Sequence, residues 1–453
     1  MYSMWMTLSE TVLTELEQSA DEGRDVRAFA DEAHAIFDMF KQGYLREDDA
    51  KDLLDRIRRA PVAKDYPYIE PASLEDIKRA RPQNRRNDPP AKIDRAAYYD
   101  KVYGAWLGRC GGCLLGQPVE GWRRDRINGM LKDTGNYPIS KYFASDVGEA
   151  IREKYNIIDE REVYGSNTIN WINNISHAPE DDDTNYTILY LKTLEESGSS
   201  FTSEDVAHSW LKNVPIYHVC TAERVAYHNI VDLIMPPLSG SCHNAYREWI
   251  GAQIRADFFG YAAPGDTERA AEFAWRDARV SHIKNGIYGE MFCAAMIARA
   301  AVSSDIKDII AGGLGEIPEK SRLAEGIKKV LAWHETEISW EAALQNLYGI
   351  YDEKNGHHWC HTISNAMICL IALLWGESDF EKTIGIAVCA GFDTDCNAAT
   401  VGSVIGMISG AEKLPEKWIK PLNNKLASGI DGFALTEIST LARRTVDLAV
   451  SFQ

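Results

Sequence analysis

The sequence predicts an all-α protein: a compact multi-helix domain preceded by a helical N-terminal extension. Three observations carry that prediction. Apolar residues recur at helical spacing through most of the 453 residues, and strand-like alternation is scarce. Glycines repeat every fourth residue in two places, Gly104-Gly108-Gly112-Gly116 and Gly402-Gly406-Gly410, so each set lies along one helix face. Two blocks of aspartates stand directly before apolar helical patterns, where a helix N-terminus belongs.

Residues 1 to about 60 read as a set of short helices separate from the rest. Thr7 and Glu10 have the spacing of a capping box. Phe29, Ala33, Ile36, Phe37 and Phe40 recur at helical spacing, and Leu53, Leu54 and Ile57 mark a third helix. Pro61, Pro67, Pro71 and the basic stretch RARPQNRRNDPP then read as a linker over the surface. The expected division is an extension and linker over 1–91 and a main domain over 92–453. No metal ligand is expected from the extension.

The glycine stripes cost helix stability, about 1 kcal/mol per glycine against alanine. A chain keeps that cost where helix backbones must approach closely. In a bilayer such stripes drive helix pairing. Here Arg109 lies in the first of these segments and no apolar 20-mer exists, so close packing inside a soluble helical core is expected. The most apolar stretch, Ile363–Trp375, is too short to span a membrane and reads as a buried helix.

Composition narrows the function classes. The formal net charge is −18, which repels nucleic-acid phosphates and anionic membranes, so neither is an expected partner. The opening MYSMWMTLSETV lacks Lys, Arg and a long apolar run, so a secretory signal is not expected. Nine cysteines, an odd number, fit free thiols in a reducing cytoplasm better than a disulfide framework.

Chemistry concentrates in three segments. In PEDDDTNYTILYLKTLEESG, Asp181, Asp182, Asp183 and Thr184 precede a helical pattern. Capping alone accounts for one or two acids there. Three consecutive carboxylates with no adjacent Lys or Arg repel, by on the order of 4 kcal/mol for a pair about 4 Å apart at an effective dielectric near 20. A bound cation removes that cost. In AGFDTDCNAATVGSVIGMISG, Asp393 and Asp395 precede the second glycine-striped helix. In GRCGGCLLGQPVEGW, Glu120 follows a Gly-Gln-Pro turn at the end of the first. These are oxygen donors only, which suit Mg²⁺, Mn²⁺ or Ca²⁺ over Zn²⁺. An EF-hand fails by count from Asp393, because Ala398 and Val404 stand where it needs Gly and Glu.

Other signals compete. Cys110-Gly-Gly-Cys113 and the cluster His357-His358-Trp359-Cys360-His361 together have donors for a zinc site. Cys110 and Cys113 lie on the glycine-striped helix, where small packing residues are the plainer reading. The histidine cluster reads as a cap before the helix beginning near Ile363. In SHIKNGIYGEM, Asn285 and Gly286 fit either a ligand contact or a simple turn.

Taken together and in order, Gly112–Trp122, Asp181–Thr184 and Gly391–Gly410 resemble the ADP-ribosylglycohydrolase family. That family has a Gly-rich helix ending in a Pro-Val-Glu-Gly-like turn, a Thr-Asp-Asp-Thr block and a Gly-Asp-Thr-Asp-Thr block before a small-residue helix. The resemblance implies an all-α domain with two Mg²⁺ ions, or Mn²⁺ in their place, between the two Asp blocks. It implies metal ligation by Asp181, Asp182, Asp183, Asp393 and Asp395. Glu120 and Asp183 become the candidates for proton transfer, and Glu120, Asn285, Gly286 and Asn397 the expected substrate contacts. The implied activity is hydrolysis of an N- or O-glycosidic bond in a small-molecule or protein-linked ADP-ribosyl substrate. Two residues depart from the pattern: Asp181 and Cys396 each stand where the family usually has Thr. Extra charge at Asp181 is expected to offset sulfur, a poor Mg²⁺ ligand, at Cys396.

Three alternatives stay open on the residues themselves. A phosphatase using Asp393-x-Asp395 needs a strand before Asp393. A terpene-synthase-like site needs a basic cluster near Asp181–Asn185 to hold a diphosphate. A binding module for ADP-ribose, or a structural protein, needs no turnover. The sequence does not choose the leaving group or the oligomeric state.

Overall fold

Glycine sets the centre of the molecule. In the computed structural model, which describes residues 7–85, 92–163 and 166–453, helix Arg95–Gly116 runs antiparallel to helix Thr394–Ser409. Gly104 meets Gly406 and Gly410, Gly108 meets Gly402, Gly112 meets Ala398 and Gly116 meets Thr394. A Cβ added at any of these four positions of the first helix would lie under 3.0 Å from backbone atoms of the second. The two stripes therefore pack on each other, backbone against backbone. The Thr394 hydroxyl locks the end of the seam by donating to the Gly116 carbonyl at 2.9 Å.

The remaining helices wrap this pair. Among the described residues there are 22 α-helices, and strands are confined to two antiparallel hairpins, Glu160–Val163 with Ser166–Thr168 and Lys425–Ala427 with Leu435–Glu437. The fold is all-α. The apolar stretch at Ile363–Trp375 forms helix Thr362–Trp375, buried through Leu374. Among the described residues no helix is long and apolar enough to cross a membrane.

The extension forms three helices, Leu8–Asp21, Ala30–Lys41 and Glu47–Arg59. They share a small core of Val12, Ala33, Ile36, Leu53, Leu54 and Ile57. The capping box expected at Thr7 does not form, since Thr7 gives no side-chain cap. Glu47, at the start of the third helix, does that work instead. Its carboxylate accepts from the Leu8 and Ser9 N–H groups at 2.8 and 3.0 Å. A carboxylate at a helix N-terminus is favoured by the helix dipole as well as by the hydrogen bonds, and this one joins two helices.

Buried ion pairs fasten the extension to the rest. Arg247 pairs with Glu15 at 2.6 Å and Glu22 at 2.7 Å, all three side chains being at most 3% exposed. Gln18 donates to Glu248 at 2.7 Å. The segment after Pro61 is likewise no loose linker, which corrects the expectation from its proline content. Glu70 pairs with Arg322, Tyr288 donates to the Pro71 carbonyl, and Ser73 caps a helix, Leu74–Ala80. Arg81 is buried against Glu316 at 2.9 Å. Proline there fixes an extended strap whose ion pairs hold it down. The end of the basic stretch, 86–91, lies outside the described residues.

Two outcomes follow. Gly112→Ala must push a methyl into the Ala398 carbonyl, and overpacking of this kind costs about 1–3 kcal/mol; a urea-unfolding midpoint equal to the parent's would show that the seam is not close-packed. Replacing both Glu15 and Glu22 by Ala strands the buried Arg247 charge and is expected to cost about 3–5 kcal/mol. A change within about 0.5 kcal/mol, the size typical of surface substitutions, would contradict the docking described.

Candidate metal centre

The seam fixes where the acids fall. Because the two striped helices are antiparallel, the C-terminal end of one at Gly116 touches the N-terminal end of the other at Thr394. Glu120 leaves the first helix through the short turn Gln117–Val119, and Asp393 and Asp395 begin the second. The third contributor, Asp181–Asp183, stands at the N-terminus of helix Asp182–Ser197.

Arg109 holds this third helix against the seam. Its guanidinium is fully buried and donates to the Asp183 carboxylate at 3.0 Å, to the Asp183 carbonyl at 2.8 Å and to the Thr187 hydroxyl at 2.9 Å. Its other face pairs with Asp257 at 2.9 Å. Asp181 caps the helix by accepting from the Asp183 N–H at 3.0 Å, and Gln117 donates to it at 2.8 Å. A charge buried on a glycine-striped helix thus finds carboxylates supplied by two other segments.

The two Asp blocks, 210 residues apart in sequence, meet. Ligand atoms of Asp183, Asp395 and Cys396 lie within 4.8 Å of one another, as do those of Cys113, Asp181 and Asp183. Burial pushes the Asp183 carboxyl up to about 8; Arg109 opposes the shift, and the charges of Asp182 and Asp393 add to it. Burial, then the charges of Glu120, Asp393, Asp181 and Asp183, hold Asp395 well above the usual carboxylate range. Asp181 and Asp393 are raised as well, again first by burial. Asp183 Oδ2 and Asp395 Oδ1 are buried without a hydrogen-bond partner. Buried carboxylates pressed together with orphaned oxygens are what a divalent cation relieves. All donors but the sulfurs are hard oxygens, so the arrangement fits a hard or borderline divalent ion.

The family model described as ADP-ribosylglycohydrolase matches residues 94–450, most of the chain. The chain belongs to the ADP-ribosylglycohydrolase family. A solved structure described as an ADP-ribosylglycohydrolase-related protein complex is 17% identical, over 78% of this chain and 99% of that one, with a TM-score of 0.45. A search of curated proteins returned no match. Members of this glycohydrolase family act on ADP-ribosylated substrates, and the acidic cluster agrees with the metal dependence typical of them.

The structure brings Glu120, Asp181, Asp182, Asp183, Asp393 and Asp395 together; Asn397 lies beside the second block, and Asn285 and Gly286 belong to a different network. Asn397 is fully buried and donates to Asn365 at 2.8 Å, tying two helices together rather than facing a substrate. Asn285 is fully buried too. Its amide is engaged by Glu70, Glu248 and the Leu323 N–H, in the network that fastens the extension and strap. Gly286 packs against the Arg247 carbonyl and His282, where a Cβ would clash. The Asn-Gly pair thus serves packing. Asp183 is fully buried and held by Arg109.

Three supporting residues escaped the sequence. Arg109 and Gln117 orient the first block. Asn365 supports the second: its carbonyl accepts from the Asp393 N–H at 3.3 Å and from Asn397, while its amide donates to the Trp359 and His361 carbonyls. A buried arginine among glycines, needing a carboxylate from elsewhere, was the one available signal.

The zinc alternative does not assemble. Cys113 faces the carboxylates, whereas the histidines face Asp21 of the extension. His361 caps helix Thr362–Trp375 by accepting from the Ile363 N–H at Nδ1, and His357 Nδ1 accepts from the Trp249 indole. Both donors are obligatory, so each neutral ring carries its hydrogen on Nε2. Those Nε2 atoms lie 3.1 and 4.0 Å from Asp21 and lack the lone pair that a metal needs.

The raised carboxyls set a pH dependence. A folded value of about 8 for Asp183, above its ordinary 3.8, means its proton stabilises the fold at low pH. That contribution is lost as pH rises through the folded value. Metal-free protein therefore carries growing repulsion toward about pH 8, which a cation relieves. The rise in Tm on adding saturating Mn²⁺ should be larger near pH 8 than in mildly acidic buffer. A rise independent of pH would contradict the geometry.

Proposed function

We propose that this family member is an Mg²⁺- or Mn²⁺-dependent hydrolase that cleaves an N- or O-glycosidic bond at the anomeric carbon of an ADP-ribosyl or related ribosyl group, free or protein-linked. The observation carrying this reading is the convergence of six carboxylates from three distant segments, with two buried oxygens lacking partners. Asp181, Asp182, Asp183, Asp393 and Asp395 would hold two ions. Bound divalent ions supply polarisation of ribose hydroxyls and orientation of a water. Glu120, half-buried and close enough to load charge onto Asp181 and Asp395, would take the water's proton. As positive charge develops on the sugar, the surrounding carboxylates stabilise it. Arg109 and Gln117 keep the first block oriented while this happens.

The phosphatase alternative is disfavoured, because helix Phe380–Cys389 precedes Asp393 where that chemistry needs a strand. Arg109, the buried cation paired with the first block, is already committed to Asp183 and Asp257, which disfavours diphosphate capture.

Release of ADP-ribose from ADP-ribosylated substrates tests the proposal. Chelation should abolish it, and Mg²⁺ or Mn²⁺ should restore it. Asp182→Asn and Asp393→Asn should each lower turnover by at least about a hundredfold. Parent-level turnover in either variant would refute the ligand assignment. Metal and ADP-ribose binding without turnover in the parent would favour the binding-module reading.

A further inference from the structure

The carboxylate centre is lined by sulfur as well as oxygen. Cys396 follows Asp395 on the first turn of helix Thr394–Ser409 and is 5% exposed. Its Sγ lies with carboxylate oxygens of Asp183 and Asp395 inside a span of 4.8 Å. A zinc-like ion sits roughly 2.3 Å from sulfur and about 2.1 Å from carboxylate oxygen, so a single ion reaches all three donors with at most a small contraction. Two oxygens in this neighbourhood, Asp183 Oδ2 and Asp395 Oδ1, are buried and without hydrogen-bond partners. These orphaned oxygens are a separate indication that something charged belongs among these donors.

Mg²⁺ is a poor occupant of this particular position. It demands octahedral oxygen and keeps several waters, whereas Cys396 presents sulfur among buried carboxylates. A thiolate selects a softer or borderline ion such as Co²⁺, Zn²⁺ or Cd²⁺. We propose that the position formed by Asp183, Asp395 and Cys396 is a mixed oxygen–sulfur site that takes a thiophilic divalent transition-metal ion in preference to Mg²⁺, with Cys396 as its sulfur ligand. This rests on the metal-dependent reading above. Cys113, whose sulfur groups instead with Asp181 and Asp183, is the comparison.

The probe is Co²⁺ alone, added to the full-length chain after removal of metal by chelation. Coordination by Cys396 gives a near-ultraviolet sulfur-to-cobalt charge-transfer band. Cys396→Ser should remove that band and weaken Co²⁺ and Cd²⁺ binding by at least about tenfold, while Mg²⁺ binding is kept or improved. Cys113→Ser should retain the band. Calorimetric titration and circular dichroism of each variant separate a lost ligand from a lost fold. Co²⁺ binding without the band, or a band that survives in Cys396→Ser, overturns the sulfur ligand. If the parent binds neither Co²⁺, Mn²⁺ nor Mg²⁺, the metal-dependent reading itself fails, a result distinct from binding without sulfur.

Discussion

The rest of the structure depends on one constraint: two helices must touch through their backbones. The pairing of Gly104, Gly108, Gly112 and Gly116 with the 394–410 segment leaves no room for side chains. Because the pair is antiparallel, it brings the exit of one helix to the entrance of the other. Glu120 and the Asp393–Asp395 block are thereby placed side by side although 273 residues separate Glu120 from Asp393. Each glycine weakens its own helix, and the close approach it permits returns dispersion contacts and a fixed geometry. Preorganisation of a charged site needs such rigid elements beneath it.

Buried arginines do the remaining positioning. Arg109 draws the Asp182–Ser197 helix onto the seam, and Arg255 is similarly enclosed by Glu223 and Asp277 just behind it. At the opposite boundary Arg247 and Arg322 tie the extension and the strap to Glu248 and its neighbours. Such pairs add little net stability over apolar packing, but they fail badly when one partner is lost. They therefore specify which segments must meet. A path of hydrogen bonds even links the extension to the metal block, from Asp21 through His357 and from Asn365 to Asp393, across the turn His357–His361.

Much of this was legible in the sequence. The helical class, the close packing of the glycine stripes and the three acidic segments follow from spacing and residue type alone. That the stripes pack on each other does not, because spacing marks a face without naming its partner. Asn285 and Asn397 show the same limit: a polar residue near a turn or a ligand block looks available for substrate, yet burial gave both to backbone and side-chain partners. The strap after Pro61 misled for another reason. Proline and charge read as solvent exposure until Glu316, Arg322 and Glu248 are known to lie beneath it. Thr7 had the spacing of a cap, but Glu47 won those N–H groups because it arrives from a helix packed alongside.

The central claim is that the seam and Arg109 assemble these carboxylates around divalent cations. A crystal structure of the protein soaked in Mn²⁺, with anomalous scattering measured at the manganese edge, tests it most directly. The account predicts anomalous peaks enclosed by Asp181, Asp182, Asp183, Asp393 and Asp395, with Glu120 at their edge. No peak there, or manganese bound only at Asp21 and the neighbouring histidines, would contradict it.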